Sequence, residues 1–183
     1  QGARATADGP RATPPLPPIL QRGYAGPART VDGPGASGRC PMSVLQLSCL
    51  CGQIRVAIER RPDYINECNC TLCSKTGARW GYFHPSEVTV EGPTTGYCRE
   101  DKSEPGAEIQ FCARCGATTH FVLTPSAASK FGNSLMGVNM WLADERDLAG
   151  IELRYPDGRA WSGAGDFGYV REARIIGRGA NSE

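Results

Sequence analysis

The sequence predicts a mostly β protein. Short segments alternate polar and apolar side chains, Gly and Pro punctuate them at close intervals, and cysteines gather in tight clusters between them. Residues 1–41 differ in kind. They are rich in Pro, Gly, Ala and Arg and poor in large apolar side chains, so they are expected to be a disordered lead that buries too little surface to offset its ordering entropy. The folded domain is expected over residues 42–165, and residues 166–183, where Gly and Arg return, are read as a frayed tail.

Within the domain, Val44 to Leu47 opens the first strand and Gln53 to Glu59 carries the period-2 pattern of a half-buried one. Trp80 to Phe83 and Val88 to Val90 follow, interrupted by Pro85 and closed by Gly92-Pro93. Glu108 to Phe111 and Thr118 to Leu123 flank a cysteine pair, and Leu135 to Leu142 and Ile151 to Tyr155 are the last strand candidates, ending at a Pro156-Asp157-Gly158 turn. Helical signals are confined to short stretches near Leu72 to Lys75 and Ala143 to Leu148.

Composition removes several function classes. Twenty Lys plus Arg against 19 Asp plus Glu leave a net charge of +1, without the basic excess that nucleic-acid binding draws on. No apolar run is long enough to cross a bilayer, so no membrane partner is expected, and without a signal-peptide pattern a cytoplasmic location is the expectation. No Ser/His/Asp arrangement, phosphate-binding glycine loop or paired-carboxylate site is present. Nine cysteines are many for an intracellular chain, and the number is odd, which argues against a disulfide framework.

Seven of them fall into three clusters: Cys49-Leu50-Cys51-Gly52, Cys68-Asn69-Cys70-Thr71-Leu72-Cys73, and Phe111-Cys112-Ala113-Arg114-Cys115-Gly116. Zn²⁺ takes thiolates in a tetrahedron, and C-x-C or C-x-x-C loops bring two sulfurs to one ion. The glycines after Cys51 and Cys115 let the chain fold back and aim N–H groups at sulfur. Cys68, Cys70 and Cys73 lie close enough to hold one ion by themselves, leaving Cys49, Cys51, Cys112 and Cys115 for another. Four thiolates close a coordination sphere, as in structural sites, whereas three leave a position for chemistry. The alternative for the triplet is a second closed site with Cys98, Cys40, His84 or His120 as fourth ligand. Cys98 beside Tyr97 reads as a buried free cysteine.

The order CLCG, CNCTLCSKTG (Cys68 to Gly77) and FCARCG resembles the glutathione-dependent formaldehyde-activating enzyme family, which includes centromere protein V. Gly137-Val138-Asn139-Met140, Leu142-Ala143-Asp144 and Tyr155-Pro156-Asp157-Gly158 are similar to its looser later signatures, so the likeness spans roughly Leu45 to Trp161. The resemblance implies a β-tent of small antiparallel sheets around a structural zinc held by Cys49, Cys51, Cys112 and Cys115. It implies a catalytic zinc on Cys68, Cys70 and Cys73, two Zn²⁺ per chain. The implied activity is a carbon–sulfur lyase joining a glutathione-like thiol and formaldehyde, or a similar small aldehyde, reversibly into an S-hydroxymethyl adduct. The alternatives are a non-enzymatic zinc module for protein or nucleic acid, and a zinc enzyme acting on another thiol or leaving group.

Among supporting residues, Lys75, Arg79 and Arg114 are candidates for meeting substrate carboxylates, against the plainer reading of exposed or charge-balancing cations. Trp80, Tyr82 and Phe83 are pocket candidates or ordinary core, and His84 and His120 are proton-shuttle candidates or ordinary histidines.

Overall fold

The structure is a computed structural model that describes residues 45–177 apart from residue 164. The expected lead, and Cys40 with it, lies outside the described residues. The architecture is mostly β, with two sheets and two short helices.

The smaller sheet joins β1 (Leu45–Ser48), β2 (Arg55–Ile58) and β5 (Val88–Glu91) in the order β1-β2-β5, antiparallel throughout. Alternation sets its buried face: Leu45, Leu47, Val56 and Ile58 are inside while Gln46, Ser48 and Arg55 face water.

The larger sheet has eight strands. Six precede the last hairpin: β3 (Tyr64–Asn66), β4 (Trp80–Phe83), β6 (Thr95–Cys98), β7 (Ala107–Phe111), β8 (Thr118–Leu123) and β9 (Met136–Asn139). With β10 (Glu152–Pro156) and β11 (Tyr169–Ile175) the order is β11-β10-β3-β4-β9-β8-β7-β6. Helix α1 (Thr71–Thr76) links β3 to β4, and α2 (Pro125–Phe131) follows β8 behind a Thr124 N-cap. The stretch Ala143 to Leu148, read as helical, forms only a 3₁₀ turn over Glu145–Leu148.

One pairing is parallel: β10 lies alongside β3 with Glu152 opposite Tyr64 and Arg154 opposite Asn66. A parallel pair needs a long connection, here most of the domain. Its consequence is local. Both strands end at the same edge, so the residues after Asn66, which begin the cysteine triplet, emerge beside those after Pro156. The backbone N–H of Glu67 donates to Arg154 O (2.9 Å), and that of Asn69 to Pro156 O (3.4 Å).

The tail expected to be frayed is instead structured through β11, which pairs antiparallel with β10 and carries a fully buried Ile176 behind it. The pattern of β11 hid this, because Tyr169 to Arg174 are all exposed and only its end is anchored.

Two apolar clusters result. The larger fills the space between the sheets with Leu47, Val56, Ile65, Phe83, Val138, Leu153 and Ile176. The smaller gathers Trp80, Ile109 and Phe121, with Leu72, Cys73, Tyr82 and Ala107 against it. Period-2 geometry divides β4 between them, Trp80 and Tyr82 on one face and Phe83 on the other. Trp80 and Phe121 meet edge to face at 5.0 Å. Gly137 on the neighbouring strand makes room for the Phe121 ring, which a Cβ there would enter. Gly137→Ala is therefore expected to lower stability by about 1–3 kcal/mol through overpacking, read as a lower urea midpoint; an unchanged midpoint would contradict this packing.

Candidate metal centre

The seven clustered thiols separate into two groups. Cys49, Cys51, Cys112 and Cys115 have their sulfurs all within 4.8 Å of one another, as do Cys68, Cys70 and Cys73. The first group is built from two loops, one after β1 in the small sheet and one after β7 in the large. Each loop turns through a glycine at φ +73°, Gly52 and Gly116, a conformation that a Cβ would strain. Gly52 N–H donates to Cys49 O (2.9 Å) and Gly116 N–H to Cys112 O (2.8 Å). Ile54 N–H points at Cys49 Sγ (3.2 Å).

Cys49 and Cys112 are buried, and Cys51 and Cys115 half-buried. Cys51 Sγ lies 3.6 Å from Cys49 Sγ and 3.7 Å from Cys112 Sγ. Four sulfurs in a tetrahedron about 2.3 Å from a Zn²⁺ ion would stand roughly 3.8 Å apart. The donor set and spacing thus fit a tetrahedral thiolate-binding metal. The backbone N–H groups of Ala117 and Cys51 hold the Cys115 thiol well below the usual range, at about 6.

The triplet follows β3. Cys70 is the N-cap of α1, and Cys73 sits in the first turn, so the helix start places both sulfurs on one side. N–H groups converge on all three: Cys70 N–H on Cys68 Sγ (3.4 Å), Cys73 N–H on Cys70 Sγ (3.4 Å), and the Trp80 indole N–H on Cys73 Sγ (3.3 Å). Such donors spread the charge of metal-bound thiolates. Hydrogen bonds from Cys68 and Cys73, then from backbone N–H groups, pull the Cys70 thiol down, while Cys68 and Cys70 push Cys73 up. The group fits a three-thiolate metal site, and among the described residues no His, Cys, Asp or Glu joins it as a fourth ligand. Cys98 is half-buried in β6 and belongs to neither group.

All three thiols line one cavity of about 320 Å³. Its walls include Trp80, Ile109 and Phe121 from the smaller cluster, with Trp161 and Phe167 from the loop after β10. Tyr82 and Asn66 also face it. Asn66 Nδ2 donates to the Tyr82 hydroxyl (3.2 Å), leaving Asn66 Oδ1 buried with no partner among the described residues. Burial raises the Tyr82 phenol and keeps it protonated.

The cations at this cavity are Arg99 and Lys102. Lys75, Arg79 and Arg114, candidates for meeting carboxylates against the plainer reading of exposed or charge-balancing cations, do not line it. Lys75 is exposed on α1. Arg79 is buried, stacked 3.8 Å over the Trp141 ring, and donates to Met140 O (3.3 Å), which makes it a packing element. Phe83 is core, while Trp80 and Tyr82 are pocket walls. His84 is exposed and caps a 3₁₀ turn through Ser86 N–H. His120 is buried, its Nδ1 3.0 Å from Thr119 Oγ1, and does not reach the thiols.

The residue that sequence reading missed is Gly158. A Cβ there would collide with Cys68 Sγ and press to 3.0 Å on Cys70 Cβ. Its turn is bolted to the triplet loop: Asn69 Nδ2 donates to Asp157 Oδ1 (2.7 Å), and Arg159 N–H to Asn69 Oδ1 (2.9 Å). The Pro-Asp-Gly signal was visible; its place beside Cys68 was not, because only the parallel β3–β10 pairing brings it there.

A β scaffold with one four-thiol and one three-thiol group defines a cysteine-rich metal-site protein. Residues 44–148 match the glutathione-dependent formaldehyde-activating enzyme family, and the chain belongs to that family. Its activity at family level is accordingly formaldehyde-activating and related to glutathione. Among solved structures, the chain is similar to the crystal structure of a Rhodobacter sphaeroides protein at 23% identity and a TM-score of 0.45, covering 58% of this chain and 97% of that one. No curated protein sequence matches. No helix among the described residues is long and apolar enough to cross a membrane.

Two measurements test this geometry. Gly158→Ala is expected to displace Cys68 and lower the number of metal ions bound per chain from an expected two to one, counted from cobalt–thiolate absorption; an unchanged count would contradict the close approach. Burial holds His120 neutral down to about pH 4 against an ordinary 6.5. Between those values the unfolded chain takes up a proton that the folded chain refuses, so folding stability falls as pH drops across that window. His120→Gln is expected to flatten this part of the stability profile, followed by urea unfolding at each pH.

Proposed function

We propose that the chain is a zinc-dependent carbon–sulfur lyase that adds a glutathione-like thiol to formaldehyde or a similar small carbonyl, reversibly, in a cytoplasmic setting. Cys49, Cys51, Cys112 and Cys115 hold a structural zinc in this reading, and Cys68, Cys70 and Cys73 the catalytic one. The observation that carries it is the contrast between the two groups: four thiols close on one another, while three face a cavity with no fourth protein donor among the described residues. When bound at the triplet, Zn²⁺ supplies acidification of a coordinated thiol and stabilisation of a departing thiolate.

The remaining steps belong to the chain. Arg99 and Lys102 meet the substrate's carboxylates and set its sulfur toward the triplet. Arg99 is held by a bidentate pair with Asp101, Nε to Oδ1 at 2.8 Å, so a substrate carboxylate exchanges with one already in place. The substrate sulfur attacks the carbonyl carbon, a C–S bond forms, and the C=O π pair moves to oxygen. The proton lost from the thiol ends on that oxygen. The Tyr82 hydroxyl, with its lone pair engaged by Asn66, keeps its hydrogen to donate to the oxygen as charge gathers. The Trp80 indole N–H holds Cys73 in position throughout. Reversal breaks the C–S bond and returns thiol and aldehyde.

Cys70→Ser tests the assignment. Thiol–aldehyde turnover should fall below detection while the far-UV spectrum and one tightly bound zinc survive; retained turnover defeats the proposal.

A further inference from the structure

The lining of the cavity is more apolar than polar substrates call for. Formaldehyde brings two heavy atoms, and a glutathione-like thiol is polar and charged apart from its short thiol arm. The space is about 320 Å³, of the size that encloses a substituted organic ligand. Trp80, Phe121 and Ile109 are part of its lining, with Trp80 and Phe121 edge to face.

A second aromatic pair lines the same cavity. Trp161 and Phe167 stack at 4.4 Å, yet remain 39% and 40% exposed. The stack is held in place: Trp161 N–H donates to Asp157 O (3.1 Å) and its indole N–H to Gly165 O (3.0 Å). These bonds tie it to the same turn that carries Gly158 against Cys68. A fixed pair of half-exposed aromatic rings beside a thiol-lined floor is a surface that an apolar ligand group would cover. Cations Arg99 and Lys102 complete the same cavity.

We propose that this cavity selects an acidic thiol whose carbonyl partner carries an apolar, aryl-sized group, which the aromatic lining of Trp80, Phe121, Trp161 and Phe167 beside the three thiols would cover. This rests on the thiol–carbonyl reading above and names its substrate class. The chemistry is unchanged: the C–S bond forms at the carbon bearing the aryl-sized group, and the thiol proton passes to the former carbonyl oxygen.

The test compares two stable thioethers on the zinc-loaded full chain by calorimetry, S-benzylglutathione and S-methylglutathione, which share the acidic portion and differ in the group on sulfur. S-benzylglutathione is expected to bind at least tenfold more tightly, as burial of an aromatic ring against apolar side chains implies. Trp161→Ala is expected to erase most of that preference, the ratio of the two affinities falling toward one. Equal affinities for the two thioethers, no binding of either, or a preference untouched by Trp161→Ala would overturn the proposal. Adduct formation from glutathione and formaldehyde is followed separately. Turnover there with equal thioether affinities sinks the substrate class and keeps the lyase; a benzyl preference with no turnover of any thiol–carbonyl pair supports the cavity's selectivity and sinks the lyase.

Discussion

The two sheets meet through sulfur. Cys49 and Cys51 follow a strand of the small sheet, and Cys112 and Cys115 follow a strand of the large one, and their Sγ atoms approach to 3.6 and 3.7 Å. Four thiolates held this close repel one another strongly in a partly buried site unless a cation lies among them. The spacing is therefore both a geometric fit to a tetrahedral ion and an electrostatic demand for one. Apolar packing between the sheets adds to the connection, with Leu47, Val56, Val138 and Leu153 in one cluster. The loops carrying the sulfurs each turn through a glycine at positive φ, and they pack into that cluster as well, with Cys49, Ile54 and Cys112 inside it and Cys51, Cys115 and Ala117 against it. Ligand geometry and core packing therefore coincide at this seam.

The same donor chemistry yields a different site a short distance along the chain because the supporting structure differs. In the triplet all ligands come from one loop and one helix start, so one side of the group is left to whatever packs against it. On one side that is the Pro156–Gly158 turn, admitted only because Gly158 has no Cβ. On another it is the cavity, walled by aromatic side chains. A larger residue at position 158 would trade a metal ligand's position for a methyl group. The short turn thus sets both the closeness of the cover and the shape of the space left over.

Much of this was legible in the sequence, and the misses have physical causes. The grouping of seven cysteines followed from spacing, since C-x-C and C-x-x-C loops constrain sulfur positions locally, and the strands Gln53 to Glu59 and Thr118 to Leu123 declared themselves by composition and period. β11 did not, because an edge strand exposed on nearly every residue carries no alternation to read. Lys75, Arg79 and Arg114 stand near the cysteines in sequence and were candidates for meeting carboxylates, against the plainer reading of exposed or charge-balancing cations. None lines the cavity: α1 turns Lys75 to solvent, Arg79 is drawn into the Trp141 stack, and the cavity receives Arg99 and Lys102 from the segment after β6. Gly158 and the β3–β10 pairing are non-local facts, fixed by register between strands far apart in sequence.

That pairing also explains why the triplet and the aromatic lining of the cavity are joined by hydrogen bonds. β3 delivers the triplet and β10 delivers the turn, and because the strands run parallel both arrive at one edge. Asn69 bridges them, its side chain donating to Asp157 and accepting from the backbone of Arg159. The aromatic stack at Trp161 and Phe167 hangs from the same turn through Asp157 O. One turn thus joins the triplet loop to the aromatic stack through hydrogen bonds to Asn69 and Trp161. An antiparallel pairing of the same strands would have placed triplet and turn at opposite ends of the sheet, and the thiols and the stack could not have lined one cavity.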